Sequence, residues 1–104
     1  MFATVRRYEG IDSSNVDELT KKVGESLAPK LSKLPGFSSY FLIDTGEGVM
    51  SSIGLFDTST QANESTRVAS EWVRDEKLEN ILQNPPKVTD GEVIVHKTMN
   101  GIKA

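Results

Sequence analysis

The chain of 104 residues contains no cysteine and a single histidine. Disulfides, thiolate metal sites and cysteine nucleophiles are therefore excluded, and one histidine cannot make a nitrogen–sulfur zinc site. Long apolar runs are also missing, since the longest extends only from Tyr40 to Ile43 and a transmembrane helix needs about 20 residues. Basic clusters are no longer than Lys21-Lys22 and the net charge is −3. We therefore expect no metal, no membrane partner and no nucleic-acid partner.

Composition predicts one small globular domain over residues 1–104. Hydrophobic residues make up 37% and charged residues 26% of the chain, well short of the charge bias of a disordered protein. A core of this size leaves a thin stability margin, which pairing with a second subunit would widen. The opening residues 1–7 have no apolar segment typical of a secretion signal, so we expect a cytoplasmic protein.

The first half of the chain has the periodicity of a strand, a helix and a second strand. Phe2 to Glu9 alternates in polarity, which predicts a strand. An apolar stripe then predicts one helix face, at Val16, Leu19, Val23, Leu27 and Leu31. Pro29 lies inside that stripe, so we expect a kink or a restart of the helix near Ala28, with the proline as a first-turn residue. A strand over Phe37 to Asp44 follows a Leu34-Pro35-Gly36 turn.

The second half repeats that order after a tight turn. Residues 45–48 link a third strand, Val49 to Phe56, to the second as a hairpin. Thr58 and Gln61 match the spacing of a capping box at the start of a second helix. The helix stripe consists of small residues that bring it close to the sheet or leave a space for a pocket: Ala62, Thr66, Ala69 and Val73. A last strand is predicted from Glu92 to Thr98, with a tail from Met99 to Ala104.

Two successive strand–helix–strand units predict an α+β, ferredoxin-like βαββαβ fold with a four-stranded antiparallel sheet. Both helices cover one face of that sheet, so the other face is left open. We expect a homodimer to form through the open sheet face. Aromatic side chains fall on strand positions that are either uncovered or directed at a pocket, and such surfaces mark partner or ligand sites: Phe2, Tyr8, Tyr40 and His96.

The chain resembles dimeric α/β-barrel proteins of the antibiotic-biosynthesis monooxygenase type, and more narrowly their small uncharacterised bacterial members. The resemblance covers nearly the whole chain and lies in short motifs: Ala3-Thr4-Val5-Arg6-Arg7-Tyr8, Leu34-Pro35-Gly36-Phe37, Asn63-Glu64-Ser65 and Glu71-Trp72-Val73. It implies a cofactor-independent oxygenase that acts on a small aromatic metabolite. The haem-degrading branch needs a histidine in the second helix and an asparagine in the opening strand, and this sequence has neither.

The resemblance implies a set of site residues, each with an alternative structural role. His96 and Asn63 are the candidate catalytic residues, as base and hydrogen-bond donor. His96 is equally a sheet or interface residue, and Asn63 a partner for backbone or water. The candidate substrate-binding residues are otherwise core anchors or interface side chains: Trp72, Tyr40, Arg6 and Tyr8. Arg6 and Arg7 point to opposite faces, and the sequence does not say which one faces the pocket.

The sequence therefore predicts a homodimer that binds a small organic ligand and needs no cofactor. A cofactor-independent monooxygenase is one form of this prediction. A non-catalytic ligand-binding or stress-responsive dimer, with a pocket filled by its own side chains, is the main alternative. A lyase or isomerase acting on a chlorinated or lactone-type metabolite is a third, because this fold does not determine the chemistry.

Overall fold

Four antiparallel strands form one sheet in the computed structural model, which describes residues 1–99. The strands are β1 (Phe2–Tyr8), β2 (Phe37–Gly46), β3 (Val49–Phe56) and β4 (Lys87–Glu92). Their order across the sheet is β2-β3-β1-β4, which is the predicted ferredoxin-like arrangement. Within the described residues, no helix is long and apolar enough to cross a membrane.

The first helical stretch changes its pitch twice between residues 13 and 32. A 3₁₀ turn (Ser13–Asn15) leads into α1 (Val16–Lys22), a π-helical turn (Val23–Leu27) follows, and α2 (Ala28–Ser32) completes the stretch. Pro29 lies in the first turn of α2, as predicted. Immediately before it, the Ala28 N–H bonds the carbonyl of Val23, five residues back. The wide turn thus continues the helix into a segment whose proline has no N–H to donate.

The apolar stripe of this stretch forms one side of the hydrophobic core. Leu19, Val23, Leu27 and Leu31 are buried, and Val16 packs against them. Met50 from β3 and Trp72 belong to the same cluster. The predicted helix face is therefore confirmed.

Helix α3 (Ser59–Asp75) covers the rest of the same sheet face. The predicted capping box is present, because the Thr58 hydroxyl accepts from the Gln61 N–H and the Gln61 side chain accepts from the Thr58 N–H. The buried positions are Ala62, Ser65, Val68, Ala69 and Trp72. The core face is therefore rotated from the predicted stripe, in which Thr66 and Val73 prove only half-buried.

The two faces of the sheet differ in polarity and in cover. Thr4 and Arg6 of β1 point towards the helices and are buried. The opposite, open face carries an apolar patch. Alternate residues of β1, β2 and β3 form it: Ala3, Val5, Phe41, Ile43, Ile53 and Leu55. Phe41 is 51% and Ile43 41% exposed in the single subunit. The open face is thus apolar, but Phe2 and Tyr8, predicted at an uncovered or pocket-facing position, share the parity of Thr4 and Arg6 and lie on the helix side.

Phe37 lies on the opposite sheet face from Phe41, although regular alternation along β2 would place both residues on the same face. The pairing with β3 shifts between Phe37 and Ser39, so that Phe37 pairs with Phe56 and Ser39 with Leu55. This irregularity adds one residue to β2 and turns Phe37 to the helix side. There its ring packs edge-on against Phe56, with centroids 5.7 Å apart.

The last strand lies earlier than predicted, at Lys87–Glu92 rather than Glu92 to Thr98. Its partner is β1, and Phe2 already pairs with Glu92, so later residues run past the end of the neighbouring strand. Only the Val93 N–H continues the pairing, to the carbonyl of Met1. The prediction was wrong because an apolar run forms a strand only when it has a neighbouring strand to pair with, in addition to β-propensity. Residues 100–104 of the predicted tail lie outside the described part of the chain.

Candidate functional site

A cavity of about 20 Å³ lies between the sheet and the helices. Apolar side chains from α1, the π-helical turn, β2, β3 and α3 form most of its wall, and polar groups enter it from β1 and β2. The residues around it are Arg6, Tyr8, Leu19, Val23, Leu27, Tyr40, Leu42, Met50, Trp72, Val73 and Leu82. Its free volume holds about one water molecule. The predicted space beneath the second helix therefore exists, at the Trp72 end of α3.

The position of this cavity follows from how closely α3 approaches the sheet. Midway along the helix, the Thr66 hydroxyl lies 3.3 Å from the Thr4 hydroxyl of β1. That approach is possible because both side chains are small. The larger side chains near the end of the helix, Trp72 and Val73, line the cavity. The small-residue stripe thus closes the middle of the interface and displaces the space towards Trp72.

A second, wider cleft adjoins the cavity on the side of β2. It has a volume of about 280 Å³ and lies between the π-helical turn and the sheet. Four side chains border both spaces: Val23, Tyr40, Leu42 and Met50. The outer part of the cleft is bordered by Thr20, Gly24, Ala28 and Asp44. The inner cavity and the outer cleft together thus form a small enclosed space that adjoins a larger, more open one.

Arg6 is the charged residue of the cavity, with only 2% of its surface exposed. Its Nη1 donates to the Thr66 hydroxyl over a long 3.4 Å, and its Nε is buried without a partner. Neighbouring Arg7 is exposed and pairs with Glu9 at 2.7 Å. The question that the sequence left open is therefore answered: Arg6 faces the pocket and Arg7 faces solvent.

Ser52 stands beside Arg6 on the adjacent strand, in a cross-strand row that ends at Leu42. Its hydroxyl is buried and, like the Arg6 Nε, has no hydrogen-bond partner among residues 1–99. Buried polar groups in proteins are normally paired, and each exception calls for an explanation. Two such groups thus lie side by side at one point of the sheet.

Tyr40 contributes a phenol at the boundary between the cavity and the cleft. Burial raises the pKa of this phenol above its ordinary value, and the Arg6 charge and the Ser52 hydroxyl oppose the shift without cancelling it. Tyr40 is therefore neutral at physiological pH and offers an O–H donor next to a fixed positive charge.

Trp72 forms the wall opposite the sheet and is held in place by the π-helical turn. Its indole Nε1–H donates to the Ser26 hydroxyl at 2.9 Å. A buried indole needs such a partner, because an unpaired N–H is costly away from water. The unusual turn of the first helical stretch thus fixes one wall of the cavity, in keeping with the frequent occurrence of π-helical turns at functional sites.

Four of the six predicted site residues meet around this cavity: Arg6, Tyr8, Tyr40 and Trp72. The other two do not. Asn63 is exposed on α3, and His96 is exposed beyond the end of β4. Within the described residues, neither candidate catalytic residue borders the cavity or the cleft.

Three polar residues of the site escaped prediction: Ser26, Ser52 and Thr66. Ser26 and Thr66 act through partners 46 and 60 residues away in the chain. Thr66 belongs to the predicted small-residue stripe, but the sequence does not indicate its polar contacts. Ser52 carried a usable signal, because β3 alternates and Ser52 falls on the same face as the apolar Met50 and Phe56. A serine on the apolar side of a strand indicates a buried polar group.

No protein-family model and no curated protein sequence matches the chain. Solved structures do match it, over nearly its full length and at low identity. A protein of unknown function from Nitrosomonas europaea is 17% identical with a TM-score of 0.75, and the match covers 96% of this chain and 95% of the other. A monooxygenase from the gene ActVA-Orf6 of Streptomyces coelicolor, in complex with nanaomycin D, is 16% identical with a TM-score of 0.72, over 94% and 91%.

A dimeric ferredoxin-like protein from an uncultured marine organism is 12% identical, with a TM-score of 0.66 over 94% of this chain and 98% of the other. At these identities the matches establish the fold and leave the activity open. The predicted resemblance to dimeric ferredoxin-like proteins of the antibiotic-biosynthesis monooxygenase type is thereby confirmed at the level of the fold.

Proposed function

We propose that this protein binds a small organic molecule between its sheet and its helices, and that it does so as a homodimer. The observation that carries the proposal is the connected pair of spaces, in which a buried arginine and a neutral tyrosine enter an otherwise apolar wall. An apolar concavity with a few convergent polar groups is the usual form of a small-molecule site. The apolar wall supplies affinity, and the polar groups set the orientation of the ligand.

Ligand binding is measurable through the protein's own fluorescence. Trp72 is the only tryptophan of the chain and lines the cavity, so an occupant changes its emission. Titration with small aromatic compounds, for example 1-naphthol and 2-naphthoate, is expected to give a saturable change, with calorimetry as an independent measure of affinity. A chain that shows neither response to compounds of this size would contradict the proposal.

Gly24 offers a variant that blocks the cleft. It borders the outer cleft, and a Cβ placed on it would meet no other atom within 4 Å. Gly24→Phe is therefore expected to fill the cleft and abolish the response to ligand without a clash. Glu25→Phe is the matched control, because Glu25 is the next residue, is exposed and borders neither space.

Cofactor-independent oxygenation is the second candidate function. It is favoured by the presence of an aromatic wall, a fixed cation and a phenol donor in one site, Trp72, Arg6 and Tyr40. Arg6 would stabilise the substrate carbanion or phenolate that reduces oxygen, and Tyr40 would donate to the oxygen that gains negative charge. Among residues 1–99, no carboxylate or histidine lines the cavity wall, and Asp44 borders the cleft.

Oxygen uptake separates the two functions. With anthrone or a naphthoquinol as substrate, an oxygenase consumes oxygen faster than buffer, and the excess is lost in Arg6→Met and Gly24→Phe. A binding protein shows saturable ligand binding with oxygen uptake at the rate of buffer.

The open sheet face is the dimer interface in this proposal. Its apolar patch exposes Phe41 and Ile43, and a contiguous apolar patch on a strand face is a common mark of subunit contact. The helices already cover the opposite face, so a partner on the open face leaves the cavity and its cleft accessible. The dimeric ferredoxin-like relative supports the same assembly.

A further inference from the structure

We propose that the ligand of this site is a carboxylate, with its charged head at Arg6 and its apolar body in the outer cleft. The inference rests on the proposed binding function and names the chemical class of the ligand. Its basis is an imbalance of charge and hydrogen bonding inside the protein, at Arg6 and Ser52.

Arg6 has no counterion in the part of the chain that the structure describes. Its guanidinium is buried, yet no carboxylate lies within ion-pair distance of it. The acidic residues in the neighbouring cross-strand rows on its face are Asp44 and Asp90, and both are exposed. A buried charge is strongly unfavourable unless it is paired. An anion that enters from outside removes that penalty.

The unpaired donors also match the shape of a carboxylate. Among residues 1–99, the Nε of Arg6 and the hydroxyl of Ser52 make no hydrogen bond of normal geometry, although the Ser52 hydroxyl lies near enough to the Tyr40 phenol to lower its pKa. Arg6 and Ser52 face one another across β1 and β3. Tyr40, on the far side of β3, adds a neutral phenol. A carboxylate has two oxygens that accept several hydrogen bonds, and arginine binds it through parallel N–H groups. A ligand with a single acceptor atom could not satisfy this set of donors.

A water molecule is the simplest competing occupant. The inner cavity holds about one, and a water there would pair with the Arg6 guanidinium. It would leave the guanidinium charge without a counterion. The volumes also favour a ligand with a small polar head and a larger apolar body. The 20 Å³ cavity takes only a small headgroup, whereas the 280 Å³ cleft beyond Tyr40 and Leu42 takes a ring or a short chain.

The test compares 2-naphthoate with its neutral analogue 2-naphthamide by calorimetry on the full chain. The wild-type protein is expected to bind the carboxylate at least about tenfold more tightly, as a charge-assisted hydrogen bond in a buried site provides. Arg6→Met is expected to bind both compounds equally and weakly. Arg7→Met, which removes a positive charge from the opposite, open sheet face and outside the cavity, is the control and is expected to retain the preference.

The outcomes distinguish this inference from the function on which it rests. Equal affinity for the two compounds in the wild-type protein, or a carboxylate preference that survives Arg6→Met, would overturn the carboxylate and leave the binding function standing. Binding of neither compound, with no effect of Gly24→Phe on any ligand, would overturn both.

Thermal unfolding keeps the inference testable if Arg6→Met folds poorly. Arg6→Lys retains the charge and loses the parallel N–H groups, so it is expected to fold and to bind 2-naphthoate more weakly than wild type but more tightly than 2-naphthamide. In addition, 2-naphthoate is expected to raise the melting temperature of the wild-type protein and of Arg7→Met. An equal rise in Arg6→Met would contradict the assignment.

Discussion

Phe41 provides the sharpest test of the proposed dimer. Its ring lies on the open sheet face in a row with Ile53 and Val5, and 51% of it is exposed in the single subunit. Full burial of a phenylalanine contributes about 1.5–3 kcal/mol, so covering the exposed half contributes about 0.7–1.5 kcal/mol. A two-fold dimer loses this amount twice. Phe41→Ser is therefore expected to raise the dimer dissociation constant roughly 10- to 150-fold.

Val88 is the matched control for this substitution. It is also an exposed apolar strand residue, at 43%, but it pairs with Arg6 and so lies on the face that the helices occupy. Val88→Ser is expected to leave the dissociation constant unchanged. Sedimentation equilibrium over a dilution series measures both variants, with circular dichroism to verify that they fold. If Phe41→Ser dimerises as well as wild type, or if Val88→Ser weakens the dimer equally, the open face is not the interface.

Three further predictions concern the stability of the fold around the site. Gly48→Ala is expected to lower the free energy of unfolding by more than the roughly 1–2 kcal/mol of left-handed backbone strain, because the new Cβ would lie 2.5 Å from a backbone carbonyl oxygen. Gly46→Ala is expected to lower it by the strain alone, because no atom lies within 4 Å of its new Cβ. Urea unfolding measures both variants. Ser26→Ala is expected to destabilise by about 1–3 kcal/mol by orphaning the Trp72 N–H, and the added cost should be smaller in a Trp72→Phe background. Because the pKa of Tyr40 is raised in the folded protein, this phenol ionises at a lower pH in the unfolded chain, so the free energy of unfolding falls as pH rises above about 10. Tyr40→Phe is expected to reduce that fall. An unchanged slope of the unfolding free energy between about pH 9 and 11 would contradict this prediction.

The sequence predicts the fold well because each element has its own period. Alternation identifies β1, β2 and β3, and the stripe from Leu19 to Leu31 identifies the first helix face. Where the prediction of elements is wrong, the deciding contact is not local. The apolar run from Val93 to Val95 has the composition of a strand, but β1 ends opposite Glu92 and offers it no neighbour.

The candidate site is predicted less completely, for a related reason. The family resemblance indicates Tyr8, Tyr40 and Arg6, and strand parity adds only that Arg6 and Arg7 point to opposite faces. Which face receives the helices depends on the handedness of the crossovers and on packing, so only the structure separates Arg6 from Arg7. Asn63 is a plausible hydrogen-bonding residue of the right type, but its position on α3 turns it to solvent. Residue type alone does not determine direction on a helix.

The spacing of the buried residues in the first helical stretch explains its π-helical turn. The buried leucines and valine of the first helical stretch, Leu19, Val23, Leu27 and Leu31, recur every four residues. In an α-helix of 3.6 residues per turn, each such step drifts by about 40°, so three steps would rotate the last side chain about 120° away from the first. A wider turn between Val23 and Leu27 unwinds part of that drift and keeps all four in the core. A strict apolar interval of four in a short amphipathic helix therefore predicts an underwound segment. Deletion of one residue from the π-helical turn is expected to rotate Leu27 and Leu31 away from the sheet.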